Sequence, residues 1–218
     1  MFITSCVEKK HQRGDFFYHS YLPKHCCLLL ITYLPMIFLL IAAELSENIE
    51  RISVKDPETD PAEYVFQIRC TRCGESADKP VVVNAYEKHE IPGSRGEANL
   101  VMKCKFCGSE NTIDMNHFET ALSQDQASNI DRDKRKKHGL GDRKLDIDNC
   151  AAILQLDTRG WDLREFIFSS IPFVAELTSG KKMEFKFEDG EDSWYDYDDD
   201  SGEEVYVTNF KTQFVKGK

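Results

Sequence analysis

The chain reads as a mainly β protein whose antiparallel strands form two lobes, and three features of the sequence say so. Short runs rich in β-branched and aromatic residues recur between turn signals. Sustained apolar stripes at helical spacing are missing, and two Cys-x-x-Cys pairs stand between such runs. At 218 residues and 25.1 kDa the chain can bury one hydrophobic core, or two small lobes that share one.

Residues 26–43 are an uncharged run of 18 residues, near the lower limit for a membrane-spanning helix and acceptable as the core of an export signal. Pro35 interrupts this run, a long basic stretch precedes it, and export would expose the paired thiols to oxidation. From Ile37 onward, Ile37, Leu39, Ile41, Ala43 and Leu45 alternate with neighbours that turn polar at Glu44 and Ser46, which predicts a strand entering a core. Met36 is then the expected start of the folded protein. Residues 1–35 are expected to be a leader or an extension of the gene model, with no core pattern.

Further strands are predicted at Tyr64–Arg69, Pro80–Tyr86, Leu100–Lys103, Asn111–Met115, Ala151–Leu156, Met183–Phe187 and Val205–Phe210. Weak helical signals occur around Phe118–Leu122 and Leu163–Phe168. Between Ser123 and Asp148 the composition turns almost wholly polar around Gly139-Leu140-Gly141. That predicts a long exposed charged loop, about 123–148, dividing a first lobe at about 36–122, which holds both cysteine pairs, from a second β lobe at about 149–218. No period of 20–50 residues repeats convincingly.

A net charge of −10 and an isoelectric point of about 5.1 repel a polyanion, so no nucleic-acid partner is expected. Lys134-Arg135-Lys136-Lys137 is a local exception, but Asp131, Asp133 and Asp142 dilute it and no aromatic residue interleaves. Glu188–Glu204 contains ten acidic residues together with Trp194, Tyr195 and Tyr197. The aromatics predict a segment that docks on the protein or offers a surface to a basic partner.

Of the eight cysteines, four form the two pairs, whereas Cys6, Cys26, Cys27 and Cys150 stand apart, a pattern that favours a metal in a reducing compartment. In Cys70-Thr71-Arg72-Cys73-Gly74 and Cys104-Lys105-Phe106-Cys107-Gly108, two intervening residues let a tight turn point both sulfurs at one ion. Each following glycine suits the left-handed backbone that such a turn needs after its second ligand. Four thiolates satisfy the tetrahedral preference of zinc and leave no position for water or substrate, so the expected zinc, one per chain, is structural. Arg69, Arg72, Lys103 and Lys105 flank the ligands and are read as ordinary soluble surface. Thiol–disulfide exchange is the rival chemistry, yet it calls for one pair beside a βαβ pattern, and neither condition holds.

These residues resemble the eukaryotic CXXC-motif-containing zinc-binding protein family. The likeness lies in Cys70 to Glu75, in Gly93-Ser94-Arg95-Gly96-Glu97-Ala98, and in Lys103-Cys104-Lys105-Phe106-Cys107. It continues through Glu110-Asn111-Thr112-Ile113, Arg159-Gly160, Trp194 to Asp198 and Gln213-Phe214-Val215-Lys216, and upstream through Ala43 to Ile49. The resemblance implies antiparallel sheets in two related lobes, one carrying the four-cysteine zinc site, in an intracellular protein. The basic loop at Lys134–Lys144 is longer than the family's usual connection.

His11, His19, His25, His89, His117 and His138 form no spaced metal or catalytic motif, and each is read as a surface or packing residue. Gly93–Gly96 lacks the strand-loop-helix context of a phosphate-binding loop, and Arg95 between those glycines is read as solvated. The expected function is therefore a non-enzymatic zinc-binding interaction or adaptor module with a protein partner, in the cytosol and able to enter the nucleus. No membrane partner is expected if translation starts at Met36. The alternative is a thiolate-based redox or metal-relay protein that releases or hands on zinc. A chain beginning at Met36 should bind zinc and melt like the full chain, whereas extraction of the cellular protein by detergent alone would overturn this localisation.

Overall fold

In the computed structural model, which describes residues 36–125, 131–141 and 150–218, the apolar run after Met36 is strand β1 (Ile37–Leu45). It lies inside a six-stranded sheet, antiparallel both to β10 (Cys150–Arg159) and to β15 (Glu203–Lys216). Ile37, Leu39 and Ile41 join the main core. Phe38, Leu40 and Ala42 face the other way, into a second cluster with Phe118, Leu140, Cys150, Ala152 and Val215. A strand covered on both faces needs apolar residues at successive positions, which is why its composition mimics a membrane segment. The strand expected from Ile37 is present, and no helix among the described residues is long and apolar enough to cross a membrane. Residues 26–35 of the run lie outside the described residues.

The large sheet is completed by β14 (Trp194–Asp198), β8 (Glu110–His117) and β7 (Leu100–Lys103), in the order β14-β15-β1-β10-β8-β7. A three-stranded sheet orders β11 (Trp161–Ile167), β3 (Tyr64–Cys70) and β4 (Val81–Val83). A four-stranded sheet orders β13 (Lys182–Phe185), β12 (Phe173–Leu177), β2 (Ile49–Val54) and β9 (Leu122–Ser123), and β5 (His89–Glu90) pairs with β6 (Glu97–Ala98). The sheets are antiparallel, as expected.

Exchanging β1 with β10 maps β15 onto β8 and β14 onto β7, and the same exchange maps β11-β3-β4 onto β2-β12-β13. The fold is thus two related lobes that trade their first two strands. β1 and β2 pair with β15 and β12 of the second half, while β10 and β11 pair with β8 and β3 of the first. All three larger sheets therefore cross the chain division at residues 123–148. One apolar cluster contains side chains from all of them. Phe173 is fully buried there, with the rings of Phe185, Phe187 and Phe210 at 5.5, 5.5 and 5.3 Å. Truncating a buried ring of this kind costs about 3–5 kcal/mol.

Three expectations change: Phe118–Leu122 is not a helix, its last residue opening β9. Leu163–Phe168 is not helical: it falls on β11 and on a 3-10 turn at Phe168–Ser170. A register slip between Leu163 and Glu165 moves the inward face by one residue, so the buried residues Leu163 and Phe166 come three apart and imitate a helical stripe. The polar segment after Ser123 is not simply an exposed loop either. Its described part carries the helix α1 (Arg132–Lys137), where Asp131 caps the first turn by accepting from the Lys134 N–H. Arg135 is buried and donates to both carboxylate oxygens of Glu119, each at 2.7 Å, and to the Cys150 carbonyl at 2.6 Å. That bidentate pair fixes the segment, and Leu140 lies over the second face of β1.

At the turns that correspond to the two cysteine pairs, the second lobe uses an ion pair. Lys181, after β12, donates to Asp198 at the end of β14 and reaches Asp200 at 2.7 Å, while Ser201 donates to Asp198 at 2.8 Å. Lys181 and then Ser201 hold the Asp198 carboxyl down at about 2, below its ordinary 3.8. Because the folded state favours the charged carboxylate, the pair stabilises the fold above 3.8, and its contribution is lost as the pH falls towards about 2. Asp198→Asn should melt earlier than the natural chain at neutral pH, with the gap closing as the pH is lowered through that window; thermal scans across pH read this directly.

Candidate metal centre

Each Cys-x-x-Cys turn grows out of a strand end. β3 ends on Cys70, and β7 ends one residue before Cys104. The two turns are built alike. Gly74 N–H donates to the Cys70 carbonyl and Gly108 N–H to the Cys104 carbonyl, each at 2.9 Å, with φ of +79° and +69°. A side chain at either glycine would be strained by that backbone even though the space around it is open. The Cys70 and Cys104 N–H groups in turn donate to the carbonyls of Glu75 and Ser109, each at 2.8 Å. Thirty residues separate Cys73 from Cys104, and the flanking strands bring the two turns together.

The structure gathers all four sequence-derived cysteines into one cluster. Their sulfurs lie within 4.8 Å of one another, with Cys70 to Cys107 and Cys73 to Cys104 at 3.7 Å each, and none is in a disulfide. Zinc–sulfur bonds of about 2.3 Å in a tetrahedron require sulfur–sulfur edges of about 3.8 Å, so the cluster fits a zinc ion. Cys70 and Cys104 are buried, Cys107 is partly covered and Cys73 is exposed.

Neighbouring donors act on these sulfurs unequally. The Cys73 backbone N–H and the Ser109 hydroxyl pull the Cys70 thiol down to about 5, and Ser109 lowers Cys107 as well. At Cys73 the Glu75 backbone N–H favours the thiolate, yet partial dehydration and the three neighbouring thiols push it up to about 12. Four sulfurs this close oppose one another's ionisation, and a divalent cation at their centre relieves that repulsion.

The flanking basic residues do not turn towards the sulfurs as a group. Arg69 lies 4.0 Å from Asp162 and Lys105 lies 3.6 Å from Asp78, both pairs well exposed to solvent. Sequence reasoning passed over Ser109 and Asn111, which reach the sulfurs from β8 and the turn before it. Ser109, two residues past Cys107, was available as a local signal. Asn111 was visible only within the family-like string Glu110-Asn111-Thr112-Ile113, where nothing marked it as a neighbour of Cys70.

The sequence profile described as CXXC motif containing zinc binding protein, eukaryotic, matches residues 38–215. The chain belongs to this family. It is 41% identical over 186 residues to the UPF0587 protein YCR090C of Saccharomyces cerevisiae, a match spanning 84% of this chain and 99% of that one. It is 28% identical over 179 residues to the human CXXC motif containing zinc binding protein, spanning 81% and 98% of the two chains. A solved structure titled Crystal Structure of C1orf123 matches with a TM-score of 0.63 at 25% identity, covering 83% of this chain and 99% of that one. The family resemblance read from the cysteine turns is thereby confirmed, and it is a zinc-binding family.

Cys70→Ser or Cys104→Ser should strip the metal and lower the melting temperature, because metal binding and folding are coupled at such a site. Full metal content in both variants, measured by atomic emission, would remove the four-cysteine assignment.

Proposed function

We propose that this protein is a non-enzymatic, zinc-organised interaction module, holding one structural zinc through Cys70, Cys73, Cys104 and Cys107. The observation behind this reading is the closure of the site, since four sulfurs at tetrahedral spacing leave no coordination position for water or substrate. The name of the human relative assigns that protein zinc, the same ion the donor set favours here. A hollow of about 420 Å³ is lined by Asp56, Tyr64, Tyr86 and His117 among others. Its polar groups already bond one another: Asp56 accepts from the Tyr64 hydroxyl at 2.9 Å and lies 2.7 Å from His117 Nε2, and Tyr86 donates to the Asp56 carbonyl at 2.8 Å. Reduced paired thiols suit the cytosol and nucleus.

The acidic aromatic segment supplies the surface for a partner. Trp194 turns inward and stacks on Phe185 at 4.2 Å, so it belongs to the fold. Tyr195 and Tyr197, at alternate positions of β14, are 70% and 51% exposed. Tyr206 stands opposite Tyr195 on β15, with its ring 6.1 Å away and 37% exposed. β14 is an edge strand, and residues 188–204 carry ten acidic side chains and no lysine or arginine. Aromatic contact area rimmed by carboxylates fits a lysine- or arginine-rich protein surface.

Metal analysis of the purified protein should find about one zinc per chain. Tyr195→Ser with Tyr197→Ser should abolish recovery of the basic partner in affinity capture and leave zinc content and melting temperature nearly unchanged. Trp194→Ala should instead lower the melting temperature. Equal recovery by the natural chain and the double tyrosine variant would sink the partner surface.

A further inference from the structure

The four sulfurs of the metal centre are not equivalent. Cys70 and Cys104 are 0% and 4% exposed, whereas Cys73 is open to solvent. Side-chain donors favour the covered side. Ser109 Oγ lies 3.1 Å from Cys107 Sγ and 3.5 Å from Cys70 Sγ, bridging the two, and Asn111 Nδ2 donates to Cys70 Sγ at 3.8 Å. Among the described residues, no hydroxyl or amide side chain bonds Cys73, whose sulfur contacts that of Cys104.

The fold makes room for this one-sided arrangement. Asn111 is buried, and its amide occupies the space that a side chain at Gly160 would take: a Cβ there would come 2.1 Å from Asn111 Oδ1. Gly160 sits between β10 and β11 at φ +79°, and its carbonyl accepts from the Thr71 N–H at 3.0 Å, next to Cys70. The exchange of first strands between the lobes thus brings a turn of the second half against the Cys70 side of the site. Cys73, three residues on, stays outside that cover.

We propose that Cys73 is the ligand through which zinc leaves and enters this centre, while Ser109 and Asn111 keep Cys70 and Cys107 on the ion, so that the protein can hand zinc to a thiolate-bearing acceptor. This rests on the four-cysteine zinc reading above. Outer partners orient metal-bound side chains and retain them, and a thiolate that accepts hydrogen bonds reacts less readily with protons and electrophiles. Cys73 accepts from the Glu75 backbone N–H but, among the described residues, from no hydroxyl or amide side chain, and this exposed sulfur is the one an incoming ligand can displace. In the first exchange the bond from Cys73 sulfur to the ion would break as an acceptor thiolate forms its own bond to it, and transfer is complete when further acceptor ligands have replaced Cys104, Cys107 and Cys70 in the same way. The freed Cys73 thiolate then takes a proton from water.

The test follows the order in which the cysteines become reactive. Full-length protein, first shown to contain zinc, is mixed with a chromogenic pyridylazo chelator and pulsed with N-ethylmaleimide, and labelled peptides are mapped by mass spectrometry. Cys73 should be labelled before Cys70, Cys104 and Cys107. Asn111→Leu, which removes the donor at similar size, should speed transfer of zinc to the chelator about tenfold and bring forward the labelling of Cys70. Labelling that starts at Cys70 or Cys104, or that reaches all four at one rate, overturns the proposal, as does an unchanged transfer rate in a folded Asn111→Leu protein. The labelling order of the natural chain needs no variant, so a misfolded variant leaves the test standing. Protein that never contains zinc would overturn the site itself, whereas zinc-loaded protein with another order overturns this inference alone.

Discussion

Strands β1 and β10 meet antiparallel at the middle of the six-stranded sheet, and they come from opposite halves of the chain. Because each also pairs outward with a strand of the other half, neither lobe is complete until both halves have folded. That demand shapes the composition of β1, which must be apolar on both faces, and it creates the need for a cover over the outer one. Phe118, Leu140 and the α1 segment provide the cover, held by the Arg135–Glu119 pair. Pairings of such long range also make the fold one of high contact order, with loop closure preceding the contacts that reward it.

The exchanged topology leaves each lobe with two strand-end turns to tie together, and the two lobes do this with different chemistry. In the first, the turns after β3 and β7 carry four sulfurs at the spacing of a zinc tetrahedron. In the second, the Lys181 ammonium links the turn after β12 to Asp198 at the end of β14. Glycines at positive φ, Gly74 and Gly108 in one lobe and Gly180 and Gly202 in the other, close the turns in both. A cation joins the turns in the second lobe, and the donor set of the first is suited to one. The protein ammonium needs nothing from outside, whereas the sulfurs crowd one another until a metal relieves them.

The Cys104–Cys107 turn and the tyrosine face lie at opposite edges of the large sheet, beside β7 and on β14 respectively. The proposed partner surface and the proposed exchangeable ligand Cys73 are therefore borne by different elements, β14 and the turn after β3.

Much of the metal centre was legible in the linear sequence, since two residues between cysteines and a glycine behind them are local geometry that a tight turn must satisfy. The strand from Ile37 was legible too, through its apolar run, and so were the antiparallel β class and the family. Other features depended on contacts between distant segments. The register slip in β11 disguised a strand as a helical stripe, because periodicity is read one chain at a time while a bulge is defined against the partner strand. Arg135 looked like part of a solvated basic run until Glu119 and the Cys150 carbonyl were placed around it. Trp194 and Tyr195 are neighbours in the same acidic stretch, and the pleat of an edge strand sent one inward to Phe185 and the other outward to solvent. Residue type and local spacing determined which atoms could hold the ion. The tertiary structure decided that Asn111, packed against Gly160 of the second half, would meet Cys70 and that Cys73 would stay exposed, because burial and such hydrogen bonds come from neighbours that only the folded chain brings together.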